Sequence, residues 1–239
     1  MKKLLFMLLF IPALGMSQAK NVLNSTRIFC KNDKIQEFEK GLAAHAQKFH
    51  TGDWKWRVWA IDSGPEAGGY MISEGPNNWE TIDARGDINP EHQADWNKNV
   101  APFTVNQGSS VYNTFQPDMS TVQLTDYADK IQISHMTAKP GKINAVIELI
   151  RKLKKVWEAG KESVAVYSLT ASGEPGYSIV TRLRAGYKEL ADGYRKPMSD
   201  RYNEVYGAGA WDNYLKDYAD AVQTRWSELL IYQPKLSSK

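Results

Sequence analysis

The chain has 239 residues, with 30 Lys and Arg against 27 Asp and Glu, a formal charge of +3. Lys2 and Lys3 stand before an apolar run, so the chain from Lys20 onward is close to neutral, which argues against nucleic acid or an anionic membrane surface as a partner. A single cysteine, Cys30, excludes an intramolecular disulfide and reads as a small apolar residue of the first strand, while 8 Trp and 12 Tyr supply many rings for a core or a pocket.

Residues 1–19 read as a signal peptide. Lys2 and Lys3 give the positive start, residues 4–14 are apolar but too few to span a bilayer, and Ser17-Gln18-Ala19 is a small-x-small cleavage site. No cysteine follows to take a lipid anchor, and no later stretch is long and apolar enough for a membrane span. A periplasmic or secreted protein beginning near Lys20 is expected.

After the leader, residues 25–30 form a predicted strand. Asn32 or Asp33 then caps a helix running to about His50, whose stripe is Ile35, Phe38, Leu42, Ala46 and Phe49. Residues 54–62 are a strand, 63–69 a Gly-rich turn, and 70–73 a third strand. Residues 78–84 are a short helix, and Asn89-Pro90 opens another with Asn as cap and Pro at the first helical position. Residues 110–116 close this half as a strand.

The order then repeats. Residues 130–136 are a strand, and Pro140 opens a helix with the stripe Ile143, Val146, Ile147, Ile150, Leu153 and Trp157. Strands follow at 163–170 and 177–183, a short helix at 187–191, a helical region broken by Gly207 and Gly209, and a last strand at 226–233. Each half ends on the same pattern: Phe115-Gln116-Pro117-Asp118-Met119-Ser120, then Tyr232-Gln233-Pro234-Lys235-Leu236-Ser237. Matching positions lie about 108 residues apart, and the joint at 117–129 is polar and turn-rich.

The expected fold class is therefore α+β: two tandem ferredoxin-like β-α-β-β-α-β units, residues 20–120 and 121–239, forming a pseudo-dimeric α/β barrel. Residues 164–169 are apolar on both faces, so both faces of the sheet need cover. The duplicated pattern resembles the dimeric α/β-barrel superfamily, with its antibiotic-biosynthesis-type monooxygenases and NIPSNAP-like proteins. That resemblance implies cofactor-independent oxygenation, haem handling or isomerisation as candidate activities.

His135 is the leading candidate for chemistry. It ends a strand on the face of Ile131 and Ile133, where an imidazole can act as a base or bind a metal or haem. Its equivalent in the first half falls near Cys30, so a site built on it is one-sided. Trp56, Arg57, Trp59, Tyr177, Arg182 and Glu228 are candidate ligand-binding residues, being rings or charges placed in otherwise apolar strands. His45 and His50 are five apart, a spacing that does not share a helical face, and His92 and Trp96 are neighbours four apart. No metal site is expected, nor any nucleophile elbow, phosphate loop or dinucleotide fingerprint. The principal expectation is a small-molecule-binding protein, monomeric or homodimeric, without cofactor. The alternatives are a cofactor-independent monooxygenase or haem-handling enzyme using His135, and a structural or partner-binding envelope protein.

Overall fold

The computed structural model describes residues 19–86 and 88–239. The predicted leader, 1–19, lies outside them except for Ala19. Among the described residues no helix is long and apolar enough to cross a membrane.

The first half runs β1 (Val22–Cys30), α1 (Ile35–Phe49), β2 (Trp56–Ser63), β3 (Tyr70–Asn77), α2 (Trp79–Asp83), α3 (Pro90–Asn99) and β4 (Thr104–Phe115). The second runs β5 (Lys130–Ala138), α4 (Ile143–Ala159), β6 (Val164–Leu169), β7 (Gly176–Arg182), α5 (Met198–Tyr206), α6 (Ala210–Ala221) and β8 (Val222–Tyr232). Tyr187–Leu190 is a single 3-10 turn rather than a helix. Asn89 caps α3 as its sequence suggests, its side chain accepting from the His92 N–H at 2.8 Å. α1 differs: its N-cap is Lys34, with no side-chain cap, so neither Asn32 nor Asp33 performs that role.

The strands form one closed barrel in the order β1-β3-β2-β8-β5-β7-β6-β4, every pair antiparallel. This corrects the expectation of two ferredoxin-like units forming a pseudo-dimeric α/β barrel. The sheets of the two halves do not pack face to face. β2 is hydrogen-bonded to β8 and β4 to β6, so a single eight-stranded sheet runs through both seams and no edge strand is left.

Alternation along each strand sorts side chains between the barrel interior and an outer helix layer. Leu23, Phe115, Ala165 and Tyr167 form one interior cluster, and Trp59, Ile61, Met71, Ile131, Ile133 and Leu230 another. Outside, Phe38 and Leu42 of α1 pack on Val58 and Ile72, and Val146, Leu149 and Ile150 of α4 on Val164, Val166 and Ile179. α1 and α3 approach closely at Gly41, where an added Cβ would stand 1.9 Å from the Asn99 carbonyl oxygen.

The recurring end pattern has a structural task. The Ser120 hydroxyl donates to the Gln116 carbonyl at 2.7 Å and accepts from the Val166 N–H at 2.8 Å. Ser237 does the same with the Gln233 carbonyl at 2.8 Å and the Val58 N–H at 2.9 Å. Each serine thus fastens the end of one strand to a strand of the other half, satisfying a buried amide that the ladder leaves over.

Candidate functional site

A cavity of about 240 Å³ lies inside the barrel. One side of it is an ionic network on strand positions facing inward. Arg27 of β1 donates through both terminal nitrogens to Glu228 of β8, at 2.9 and 2.5 Å. His135 Nε2 lies 2.7 Å from the same carboxylate, and the Ser178 hydroxyl 3.2 Å from His135 Nδ1. The His135 ring stacks on Trp226 with centroids 4.0 Å apart. Glu66, from the β2–β3 turn, reaches Arg27 at 3.4 Å.

Glu228 is 1% exposed. Burial alone would raise its pKa, but the hydrogen bonds from His135 and Arg27, and their charge, hold it below the ordinary glutamate range. An ionised Glu228 requires the proton on His135 Nε2, which leaves Nδ1 as the lone-pair nitrogen, with the Ser178 hydroxyl as donor to it. Arg27, Glu228 and Glu66 together carry one net negative charge. A proton gained by His135 neutralises the set.

The opposite side of the cavity is aromatic and basic. The Arg57 guanidinium lies 3.9 Å from the centroid of the Tyr127 ring, and that of Arg182 5.9 Å from it. Arg182 is buried and donates to the Gln123 carbonyl at 3.3 Å; burial lowers its pKa. Tyr167 is pushed up to about 12 by burial. The Tyr127 hydroxyl is buried and makes no hydrogen bond, in a residue that lines the cavity. Trp59, Met71, Ile133 and Val180 complete an apolar wall.

Of the residues singled out from sequence, His135, Trp59, Arg182 and Glu228 therefore converge on the barrel interior, with Arg57 behind Tyr127. Tyr177 does not join them. It points outward into the layer under α4, because even-numbered residues of β7 face in and odd-numbered ones out. Trp56 also points outward, onto a second cavity beneath α1 and α3, where it stacks on His50 with centroids 3.4 Å apart. His45 and His92 share that second cavity, so the three remaining histidines meet outside the barrel.

Sequence reasoning missed Arg27, Ser178 and Tyr127. The first two were available from register. Arg27 pairs with Met71 and Ser109, and His135 with Ser178 and Trp226, each pair of partners offset by the chain's own repeat. The equivalent of His135 is thus Arg27, not a residue near Cys30. Tyr127 sits in the joint, where no periodicity applies.

A haem-binding site was implied by the resemblance, and His135 does not fit it. Both of its ring nitrogens are engaged, one by a fully buried carboxylate, and its ring face is covered by Trp226.

No protein-family model matches the chain, and no curated protein matches its sequence. Solved structures do. An anthrone oxidase-like protein superposes with a TM-score of 0.56 at 11% identity, over 90% of this chain and 92% of that one. A candidate monooxygenase of Fusobacterium nucleatum subsp. nucleatum gives 0.55 at 13%, over 90% and 94%. A variant chlorite dismutase of Candidatus Nitrospira defluvii, in complex with cyanide, gives 0.53 at 5%, over 92% and 93%. These proteins share the barrel fold with this chain, and identities this low speak for the fold alone.

Proposed function

We propose that the barrel cavity binds a small, flat, mostly apolar molecule bearing an oxygen, and that His135 Nδ1, once the Ser178 hydroxyl rotates away and frees its lone pair, removes a proton from it in a cofactor-independent oxidation by dioxygen. The observation that carries this reading is the His135–Glu228 contact at 2.7 Å inside a cavity walled by aromatic and aliphatic side chains. Glu228 fixes the tautomer and stabilises the imidazolium, Arg27 keeps Glu228 ionised, and the Tyr127 hydroxyl is the free donor for the substrate oxygen. The balanced class is oxidation of an activated methylene: one methylene and one dioxygen give one carbonyl and one water. The anthrone oxidase-like and monooxygenase neighbours support this class over simple storage of a ligand.

Ser178, His135 and Glu228 also follow the order of a hydrolytic triad. Acyl transfer is disfavoured because Ser178 lies mid-strand, paired with His135 on one side and Tyr167 on the other.

The test uses anthrone as probe. Binding is followed by Trp fluorescence and turnover by oxygen consumption, in the wild type and in His135→Gln. Loss of about 100-fold or more in turnover with binding retained is the expected result, the usual scale of a general base. Equal turnover in the variant would remove His135 from the chemistry. Export of the protein, read from residues 1–19, is proposed as the setting and is checked by N-terminal sequencing of the protein recovered outside the cytoplasm.

A further inference from the structure

We infer that His45, His50 and His92 form a binding site for a single divalent transition-metal ion, zinc in the first instance, with one coordination position left open. The ligand atoms of the three lie within 4.8 Å of one another. His50 Nε2 and His92 Nε2 are 3.3 Å apart. Two imidazole nitrogens on one tetrahedral zinc, each at about 2.0–2.1 Å, stand about 3.3–3.4 Å apart, so this pair already has the required bite.

The other ring nitrogens are set for the task. His45 Nδ1 meets Asp95 Oδ2 at 2.8 Å, and His50 Nδ1 meets Glu74 Oε2 at 3.2 Å. A carboxylate on Nδ1 fixes the tautomer, so that Nε2 presents its lone pair, and makes the imidazole a better donor to a metal. Both carboxylates are themselves held. Asn99 donates to Asp95 at 2.8 Å, and Trp56 Nε1 and Arg85 donate to Glu74 at 2.7 and 3.0 Å. Arg85, which lines the same cavity, has its charge paired by that contact, and Arg27, which also lines it, is paired with Glu228.

The independent observation is His45. Its side chain is 0% exposed, and its Nε2 is a buried polar atom with no hydrogen-bond partner. Such an atom costs free energy unless something occupies its lone pair, and it faces the other two imidazoles. Water alone would not explain why three imidazoles are gathered, two of them completely buried, with oriented carboxylates behind them.

Three inner ligands with a neighbouring cavity of about 340 Å³ are the pattern of an open site rather than a closed structural one. Asn24, Thr26 and Gln93 line that cavity and would surround a water or small anion in the fourth position. Haem is a poor match, because its iron needs only one protein nitrogen on a face, whereas three converge here on one point. The site lies outside the barrel and does not depend on the chemistry proposed for His135.

The experiment is titration of chelator-stripped, folded full-length protein with Zn²⁺ against a chromophoric competitor, and with Co²⁺ followed by visible absorption. One equivalent should bind, with the intense cobalt bands of a tetrahedral nitrogen site. His92→Gln, at the partly exposed ligand, should weaken zinc by about tenfold or more while circular dichroism stays native. His135→Gln should leave zinc affinity unchanged. Absence of stoichiometric binding by the wild type, or equal affinity in His92→Gln, would overturn the assignment. So would uptake of hemin with a Soret band that His92→Gln abolishes and zinc fails to displace.

Discussion

Arg27 and His135 occupy the same place in the two halves of the chain, 108 residues apart, and both close on the one carboxylate of Glu228. At equivalent positions of the barrel one half supplies a permanent cation and the other a titratable base. Their other strand partners diverge likewise: Met71 and Ser109 beside Arg27, Ser178 and Trp226 beside His135. The asymmetry gives the cavity a polar side and leaves the remaining wall free to take an apolar ligand.

Glu228→Gln is expected to cost about 3 kcal/mol, the low end for a broken buried pair, because the buried Arg27 keeps only the longer contact to Glu66 at 3.4 Å. The pH dependence has a defined sign. A carboxyl held below its ordinary value of 4.5 contributes stability that is full above that value and is lost as pH falls through the lower folded-state value. Thermal melts from pH 7 to pH 3 should therefore show the wild type losing its advantage over Glu228→Gln below about pH 4.5. A constant difference down to pH 3 would contradict the network as described.

Tyr127→Phe removes a buried hydroxyl that has no partner. The variant should be as stable as the wild type or more stable by about 1 kcal/mol, since nothing paired is lost and an unsatisfied group is removed. Binding of an oxygen-bearing probe should nevertheless weaken, by about fivefold to tenfold for one hydrogen bond. Paired melts and fluorescence titrations separate the two effects, and unchanged binding would place the ligand away from Tyr127.

Gly41→Ala would ordinarily favour a helix by about 0.5–1 kcal/mol. Here the new Cβ would stand 1.9 Å from the Asn99 carbonyl oxygen, so α3 must move off α1. A net loss of about 1–3 kcal/mol is expected, together with weaker zinc binding, because His92 and Asp95 ride on α3. Denaturant unfolding and the same competition titration test it, and a stabilised variant would refute the close helix approach.

Part of this arrangement is legible in the sequence. Strand alternation puts Trp59 and Arg57 on one face of β2 and Trp56 and Val58 on the other, and the structure sends the first pair inward and the second outward, so Trp56 parts from the other two. Alternation on β7 would equally have excluded Tyr177 from the face of Arg182. A barrel is expected from the sequence but its seams are not, since the β2–β8 and β4–β6 pairings join segments more than fifty residues apart and depend on hydrogen bonds that carry no side-chain pattern. The three-histidine cluster was hidden by its own spacing. His50 follows α1 as its C-cap, with φ −104° and ψ 79°, so helical periodicity says nothing of its direction, and His92 arrives from a different helix. Arg27, inside the predicted strand 25–30, carries no local sign of its partner, because Glu228 comes from β8, two hundred residues away in sequence.

Ser237 is 1% exposed and anchors Val58 of β2. The short segment that follows β8 is thus a latch on the seam between the first strands and the last. Ser237→Ala should loosen that seam, freeing the Val58 amide, without touching the barrel interior.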